Sequence, residues 1–392
     1  MILAVLLAVV LSLVPGGRPA GATDPIAVGE ISSRTGLLAT QGLAVAQGIQ
    51  IAADGVNARG GIAGRPIRLL ARDDEGKPDR AIAAAEELAG RQRVAALVGG
   101  YVDSLIGPVS EVAERTRTPF VASASLDERL TRRRYRYFFR VSSLRPYVAV
   151  TVGLLRDLVR PDRVAILYSS TPGASQLAAR QREALQAIAI AVPLFEPFSP
   201  GLSDFSPLLA RVRDRKIDVL LSDAFFADHL LIVRQMAQGG WRVPGFLGAF
   251  GLEFPAVIRE LGAAAEGLLG TTSWQPGVFV PAALAESHAF VDAYRARFGQ
   301  EPVPLSMHGY AAARTLFAAM AAAAGKGQAP AGDTLRDALA RVDVETPLGR
   351  IEFDAHGDPL HYARVIVQVQ GARHAVVYPP AAATARLVYL RP

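Results

Sequence analysis

From Thr23 onward the apolar positions follow two alternating rhythms: short unbroken runs, and longer stretches in which apolar residues recur every three or four positions. The first rhythm predicts strands over Pro25–Ile31, Ile67–Ala71, Val94–Val98 and Phe120–Ala122; the second predicts helices over Leu43–Val56, Pro78–Leu88 and Ser104–Arg115. Unbroken runs such as VAALV are what parallel strands need when helices cover both faces of their sheet. The alternation pauses near Ser142–Pro146 and then resumes. Helices over Tyr147–Leu158, Gln176–Ile188, Phe205–Asp214 and Ala227–Gln238 interleave with strands over Val164–Leu167, Val192–Phe195, Val219–Ser222 and Phe246–Ala249. After Gly267–Trp274 come helical stretches over Ala282–Phe298 and Gly309–Ala324, then strand-like Ile351–Phe353 and Tyr362–Val369. The pattern is α/β, in two similar halves with no low-complexity linker between them.

The stretch NARGGIAGRP, Asn57–Pro66, has the glycine density of a phosphate cradle. Such a loop follows a strand and opens a helix, where free N–H groups point at the anion. Here the order is reversed, helix before and strand after, and no Lys-Ser/Thr ending is present. The stretch therefore predicts a helix stop, with Gly60 or Gly61 left-handed and Gly64-Arg65-Pro66 turning the chain into the next strand.

Ahead of Thr23, MILAVLLAVVLSLV is broken by Pro15-Gly16-Gly17 and followed by Ala20-Gly21-Ala22. The run is too short to cross about 30 Å of hydrocarbon. Its small residues before Thr23 fit a secretory cleavage site, so residues 1–22 are expected to be a signal peptide and the mature chain extracytoplasmic, although no Lys or Arg precedes the run. The competing expectation is an uncleaved anchor.

Composition narrows the function classes. The chain has 392 residues, 51% of them apolar and 20% charged, enough for about two domains with sizeable cores. With no cysteine, disulfides, thiolate metal sites and thiol nucleophiles are excluded. The formal charge is +6, but apart from Arg132-Arg133-Arg134 the basic residues are scattered among acidic ones, which argues against nucleic-acid binding. Six histidines show no HExxH spacing, no GxSxG elbow occurs, and DDEGKPD reads as a turn rather than a calcium loop. No catalytic constellation, metal or cofactor is implied.

Several motifs, taken in order, carry a resemblance: Thr35-Gly36 with Ala39 and Gly42, VNARGGIAGRPI, the pair Asp73-Asp74 with Ala81, VGGYVDS, TPFVASAS, RRYRYFFRVSS, GRIEFDAHGD and VVYPPAAATA. Together they cover nearly the whole mature chain. In order and spacing it resembles the periplasmic leucine/isoleucine/valine-type solute-binding proteins of ABC transporters. The resemblance implies a type I periplasmic binding protein fold, two doubly wound α/β lobes joined by three crossovers near Ser142–Pro146, Ser273–Val278 and Glu345–Gly349. Lobe 1 would comprise residues 23–143 plus 276–346, and lobe 2 residues 144–275 plus 347–392. A small ligand would be captured between the lobes by hinge closure and delivered to a membrane permease, with the carrier a monomer. A ligand-sensing regulator of the same fold is the competing reading.

Ligands of open α/β sheets bind beyond the carboxyl ends of the strands. That places Thr35 and Gln41 (after the first strand), Tyr101, Asp103 and Ser104 (after the third) and Ser123, Ala124 and Ser125 (after the fourth) as candidate binding residues. The resemblance carries to Ser104, Ala124 and Ser125 the role of holding a ligand carboxylate; the competing role for Asp103 and Ser104 is helix capping. In the second half the pattern departs. SSTPGAS puts Gly173 where relatives carry a tyrosine, and Phe250 stands where they carry an acidic residue for the ligand's ammonium, with Glu253 three residues on. Phe225 and Phe226 match a family aromatic. Lobe 2 is thus expected to offer rings rather than charge, shading the ligand from a branched-chain amino acid toward a less polar, aromatic carboxylate.

Overall fold

The unbroken apolar runs become the buried strands of two sheets. The computed structural model describes residues 24–276, 283–325 and 330–389. The expected leader and residues 277–278 of the expected second crossover lie outside them. The first sheet is built from β1 (Ile26–Ser32), β2 (Ile67–Asp73), β3 (Ala96–Tyr101), β4 (Phe120–Ala124) and β5 (Phe138–Arg140). Its order is β2-β1-β3-β4-β5, and every pair is parallel. The second sheet takes β6 (Arg163–Ser169), β7 (Ala191–Phe198), β8 (Val219–Asp223), β9 (Gly245–Ala249) and β10 (Leu269–Thr272). A hairpin of β11 (Asp343–Thr346) and β12 (Gly349–Glu352) follows, and β13 (Val365–Gln370) and β14 (Arg373–Tyr378) close the second sheet in antiparallel register. That sheet's order is β14-β13-β10-β9-β8-β6-β7.

Each sheet has an apolar core on both faces. In the first lobe one core gathers Val28, Val98, Ile49, Leu316 and Met320 and the other Ile31, Leu88, Leu97 and Phe120; in the second the pair centres on Leu167, Leu220 and Phe246 and on Ile166, Leu221 and Ile366. The chain leaves the first sheet after β5, returns to that lobe after β10, and leaves it again before β13. Leu348, Ile351 and Phe353 pack in the core shared by β1 and β3. The third passage therefore runs between Phe353 and Val365, later than the expected Glu345–Gly349, because the hairpin buries its apolar face against the first lobe.

The glycine-rich stretch ends a helix. Helix Ala39–Ala58 stops as the Gly61 N–H reaches back to the Val56 carbonyl (3.0 Å) and the Gly60 N–H to that of Asn57 (3.0 Å). Gly60 and Gly61 take φ of +92° and +77°. The Asn57 side chain then clamps the start of β2, accepting from the Ile67 N–H at 2.7 Å and donating to the Ile67 carbonyl at 2.9 Å. A Cβ on Gly61 would collide with the Arg65 carbonyl besides adopting left-handed backbone. Gly61→Ala is expected to cost about 1–3 kcal/mol, read as a lowered urea midpoint with an unchanged slope; an unchanged midpoint would contradict this role.

Candidate functional site

The loops at the carboxyl ends of the two sheets face one another across a narrow cleft whose free space, mouth included, is about 650 Å³. Lobe 1 contributes Tyr101 at the end of β3, Asp103 just beyond it and Ser125 beyond β4. Lobe 2 contributes Gly173 beyond β6, Phe225 beyond β8, and Phe250 and Glu253 beyond β9. His308, from helix Pro304–Ala324, and Arg364, one residue before β13, complete it.

The lobes touch across the cleft. The Glu128 N–H donates to Gln176 Oε1 at 2.7 Å, Gln176 Nε2 to Asp127 Oδ1 at 3.3 Å, and Arg180 Nη2 reaches Glu128 Oε2 at 3.3 Å. The rings of Tyr101 and Phe225 meet edge to face at 6.2 Å between centroids. At Gly173, the second residue of helix Pro172–Ala187, an added Cβ would overlap Asp103 Oδ2. The lobes are closed on one another, and Asp103 Oδ2 occupies the space that a side chain at position 173 would take.

Asp103 fills a nest of donors on its own lobe. Its Oδ1 accepts from the Ser125 hydroxyl (2.7 Å), the Leu126 N–H (2.8 Å) and the Asp127 N–H (3.0 Å). Burial pushes its carboxyl above the usual range, while those donors and the nearby Arg140 charge pull the other way. The nest exists because β4 ends at Ala124 and the chain turns before helix Glu128–Arg132, leaving successive N–H groups pointing inward. Ser125 and its neighbours are thus engaged by a protein carboxylate, which corrects the expectation that this loop is open to a ligand's.

Two cleft residues carry backbone strain. Val102, just before helix Asp103–Thr116, has φ +65°, and Phe250 has φ +63°. For a β-branched or bulky residue this region costs of order 1–3 kcal/mol and clusters at binding sites. Here it turns Asp103 and Phe250 toward the cleft.

Of the residues expected from sequence, Tyr101, Asp103, Ala124, Ser125, Gly173, Phe225 and Phe250 come together around the cleft. Thr35, Gln41, Ser104, Ser123 and Phe226 do not line it. Thr35 is exposed and donates to Asp73 Oδ2 (2.7 Å) at the end of β2, the edge strand. Gln41 is buried within helix Ala39–Ala58. Ser104 sits in the first turn of its helix, where neither it nor Asp103 caps by a side-chain bond. Ser123 lies inside β4, which runs two residues past the expected Ala122, so its hydroxyl is buried in the sheet rather than presented by the loop. Phe226 begins helix Phe226–Gln238 and stacks on Phe254, centroids 5.9 Å apart.

The expectation that lobe 2 offers rings without charge is corrected as well. Arg364 and Glu253 both line the cleft and both are buried. Arg364 donates through Nη1 to the Tyr362 hydroxyl (2.6 Å) and through Nη2 to the Thr271 carbonyl (2.6 Å), and it lies 3.6 Å from the Tyr147 ring centroid. Glu253 Oε2 accepts from the Gly251 N–H at 2.8 Å.

The periplasmic binding protein family profile matches residues 25–373. The chain belongs to that family. An amino acid binding protein of Pseudomonas aeruginosa is 27% identical over 348 residues, 87% of this chain and 89% of that one. Two solved structures share the fold. The isoleucine complex of a branched-chain amino acid transporter substrate-binding protein from Streptococcus pneumoniae superposes with a TM-score of 0.81 at 22% identity, covering 91% of this chain and 100% of that one. The benzoate complex of an ABC transporter solute-binding protein from R. palustris superposes with a TM-score of 0.77 at 19% identity, covering 92% and 98%.

In this periplasmic binding protein the passages between lobes are braced by His308. Its Nδ1 lies 3.2 Å from the Ser123 carbonyl, and its Nε2 lies 2.7 Å from the Ser273 hydroxyl and 3.3 Å from that of Tyr362. Burial, helped by the Arg364 charge, pushes the imidazole down to about 3, so it is neutral at pH 7. Two of the passages between lobes, at Ser273 and Tyr362, therefore meet β4 on one uncharged ring.

Burial pushes the Glu253 carboxyl up to about 7, against the pull of Arg364. Between about pH 4.5 and 7 the unfolded chain has lost this proton while the folded chain keeps it, so the group lowers stability progressively as pH rises through that window. His308 and His229, both buried and depressed, act with the opposite sign, costing stability as pH falls below about 6.5. Only a difference isolates Glu253. Relative to wild type, Glu253→Gln is expected to gain up to roughly 3 kcal/mol between pH 4.5 and 7, measured by urea denaturation across pH. A constant difference would contradict the burial argument.

Proposed function

We propose that the protein is the extracytoplasmic solute-binding component of an ABC importer. It captures a small amino acid or other carboxylate between its lobes and presents the closed form to a membrane permease. Residues 1–22 act as the export signal, and the mature chain works as a monomer in the periplasm. The observation that carries this reading is the cleft itself. It is lined from both lobes, sits beyond the strand ends where α/β folds bind ligands, and is latched by hydrogen bonds that cross from one lobe to the other. A ligand that touches both walls stabilises the closed arrangement by its differential affinity for it, and that difference is what a permease reads.

The test is a thermal-shift screen of the chain from Thr23 onward, refolded to strip carried ligand, against branched-chain amino acids, aromatic carboxylates and short amides. A compound present at about a hundred times its Kd adds about 2.7 kcal/mol to stability. Stabilisation by at least one class is expected. No response to any class would contradict solute capture.

A further inference from the structure

Arg364 is one of three buried arginines among the described residues, and it differs from the other two, since Arg336 pairs with Asp337 at 2.6 Å. Arg140 is buried and ion-paired with Asp358 at 2.5 Å. Arg364 is 7% exposed and is held only by neutral groups: the Tyr362 hydroxyl, the Thr271 carbonyl and hydroxyl, and the face of Tyr147. Its Nε has no hydrogen-bond partner, and among the described residues no carboxylate forms an ion pair with it. A guanidinium taken out of water without an anion is costly, and this one borders a cleft. An anion arriving at the cleft face of this guanidinium restores the missing charge.

The remainder of the cleft says what the anion is attached to. A run of rings leads from lobe 1 to the arginine: Tyr101 to Phe225 (6.2 Å), Phe225 to Phe250 (5.8 Å), Phe250 to Tyr147 (5.5 Å). An ammonium group, in contrast, finds no prepared partner. Asp103 Oδ1 already accepts three hydrogen bonds and its Oδ2 is pressed against the helix start at Gly173. Glu253 accepts from Gly251, and its burial favours the neutral acid. Asp223 is buried behind the cleft and does not line it. Of the lobe-1 donors expected to hold a ligand carboxylate, the Ser125 hydroxyl is taken by Asp103.

We propose that the captured solute is a small monocarboxylate with a flat, apolar body and no ammonium group, its carboxylate held by Arg364 of lobe 2 and its body lying against Tyr101, Phe225 and Phe250. This rests on the solute-binding reading and specifies its ligand. The orientation is set from lobe 2, since the anion nest of lobe 1 carries its own carboxylate.

The test is titration calorimetry of the wild-type protein with benzoate, phenylacetate, benzamide and leucine, and of Arg364→Met and Arg364→Lys with the same compounds, each variant's fold checked by circular dichroism. Wild type is expected to bind benzoate or phenylacetate at least about 30-fold more tightly than benzamide or leucine, since a charge-assisted contact is lost in the amide and an unpaired ammonium is buried with the amino acid. Arg364→Met is expected to abolish that preference for the acid over the amide, and Arg364→Lys to keep most of it. The acid-amide comparison in wild type stands even where a variant does not fold. Tighter binding of leucine than of either acid, or an unchanged acid preference in Arg364→Met, overturns the assignment while leaving solute capture intact; no binding by any of the four counts against both.

Discussion

Gly173→Val is expected to weaken binding of the cognate solute by at least about 100-fold while leaving each lobe folded. The reason is geometric. In the closed arrangement the Gly173 position lies against Asp103 Oδ2, and any side chain there enters the space the carboxylate occupies. Neither partner can step aside, since Gly173 is fixed in the first turn of a helix and Asp103 is held by three donors on its other oxygen. Closure therefore fails, and a ligand that needs both walls loses the contacts of one. Shifting a two-state equilibrium by two decades takes about 2.7 kcal/mol, modest for an overlap in a packed interface. Binding is read by calorimetry, and small-angle scattering should show a radius of gyration that no longer falls when ligand is added. The double variant with Asp103→Ala removes the obstructing carboxylate, so its binding loss should be smaller than the two single losses combined. Strict additivity would mean that the overlap does not limit closure.

The largest stability effect is expected at Arg140. Its guanidinium is fully buried and bonded to Asp358 (2.5 Å), to the Asp127 carbonyl (2.9 Å) and to the Ser125 hydroxyl (3.2 Å). Its charge also favours the ionised forms of Asp103 and Asp127. Arg140→Met keeps the apolar stem but leaves several carboxylates without their shared cation, a change that typically costs 3–5 kcal/mol when a buried pair is broken. Asp358→Ala should cost less, about 1–2 kcal/mol, because Asp358 is 27% exposed and the cation retains its other partners. Urea denaturation of both variants checks the ranking; equal losses would mean that Arg140 serves only Asp358. Since Arg140 also supports the turn that holds Asp103, the Arg140 variant should bind solute more weakly as well.

Much of this site was legible in the chain because α/β layering converts strand ends into site positions. The unbroken runs located β3, β4, β6, β8 and β9, and the residues just beyond them, Tyr101, Asp103, Ala124, Ser125, Gly173, Phe225 and Phe250, do border the cleft. The rule failed where a strand's place in the sheet mattered. Thr35 follows β1, but its loop pairs with the edge strand β2 and is drawn to Asp73. It failed also where a boundary moved, as at Ser123, which the further pairing of Ala124 with Tyr101 kept inside β4.

Arg364 and Tyr147 were missed for a different reason, and Glu253 and His308 were noticed without being placed among the binding residues. Tyr147 and His308 come from helices with ordinary apolar periodicity, and Glu253 stands three residues past the position where relatives carry their acidic residue. Arg364 stands in HYARVIVQV, which reads as a strand with one cation at its entrance. Only the three-dimensional fold shows that this cation is buried beside a cleft with no anion, so no local pattern could have singled it out. The departure at Gly173 and Phe250 was visible in sequence, but its compensation by charges from elsewhere in lobe 2 was not.

The most direct test of the central claim is a crystal structure of the wild-type protein grown with the most stabilising compound of the thermal-shift screen. That compound is expected between the lobes, within contact of Tyr101 from one side and of Phe225 and Arg364 from the other, with Asp103 Oδ2 still against Gly173. A compound bound to one lobe alone, or outside the cleft, would contradict it.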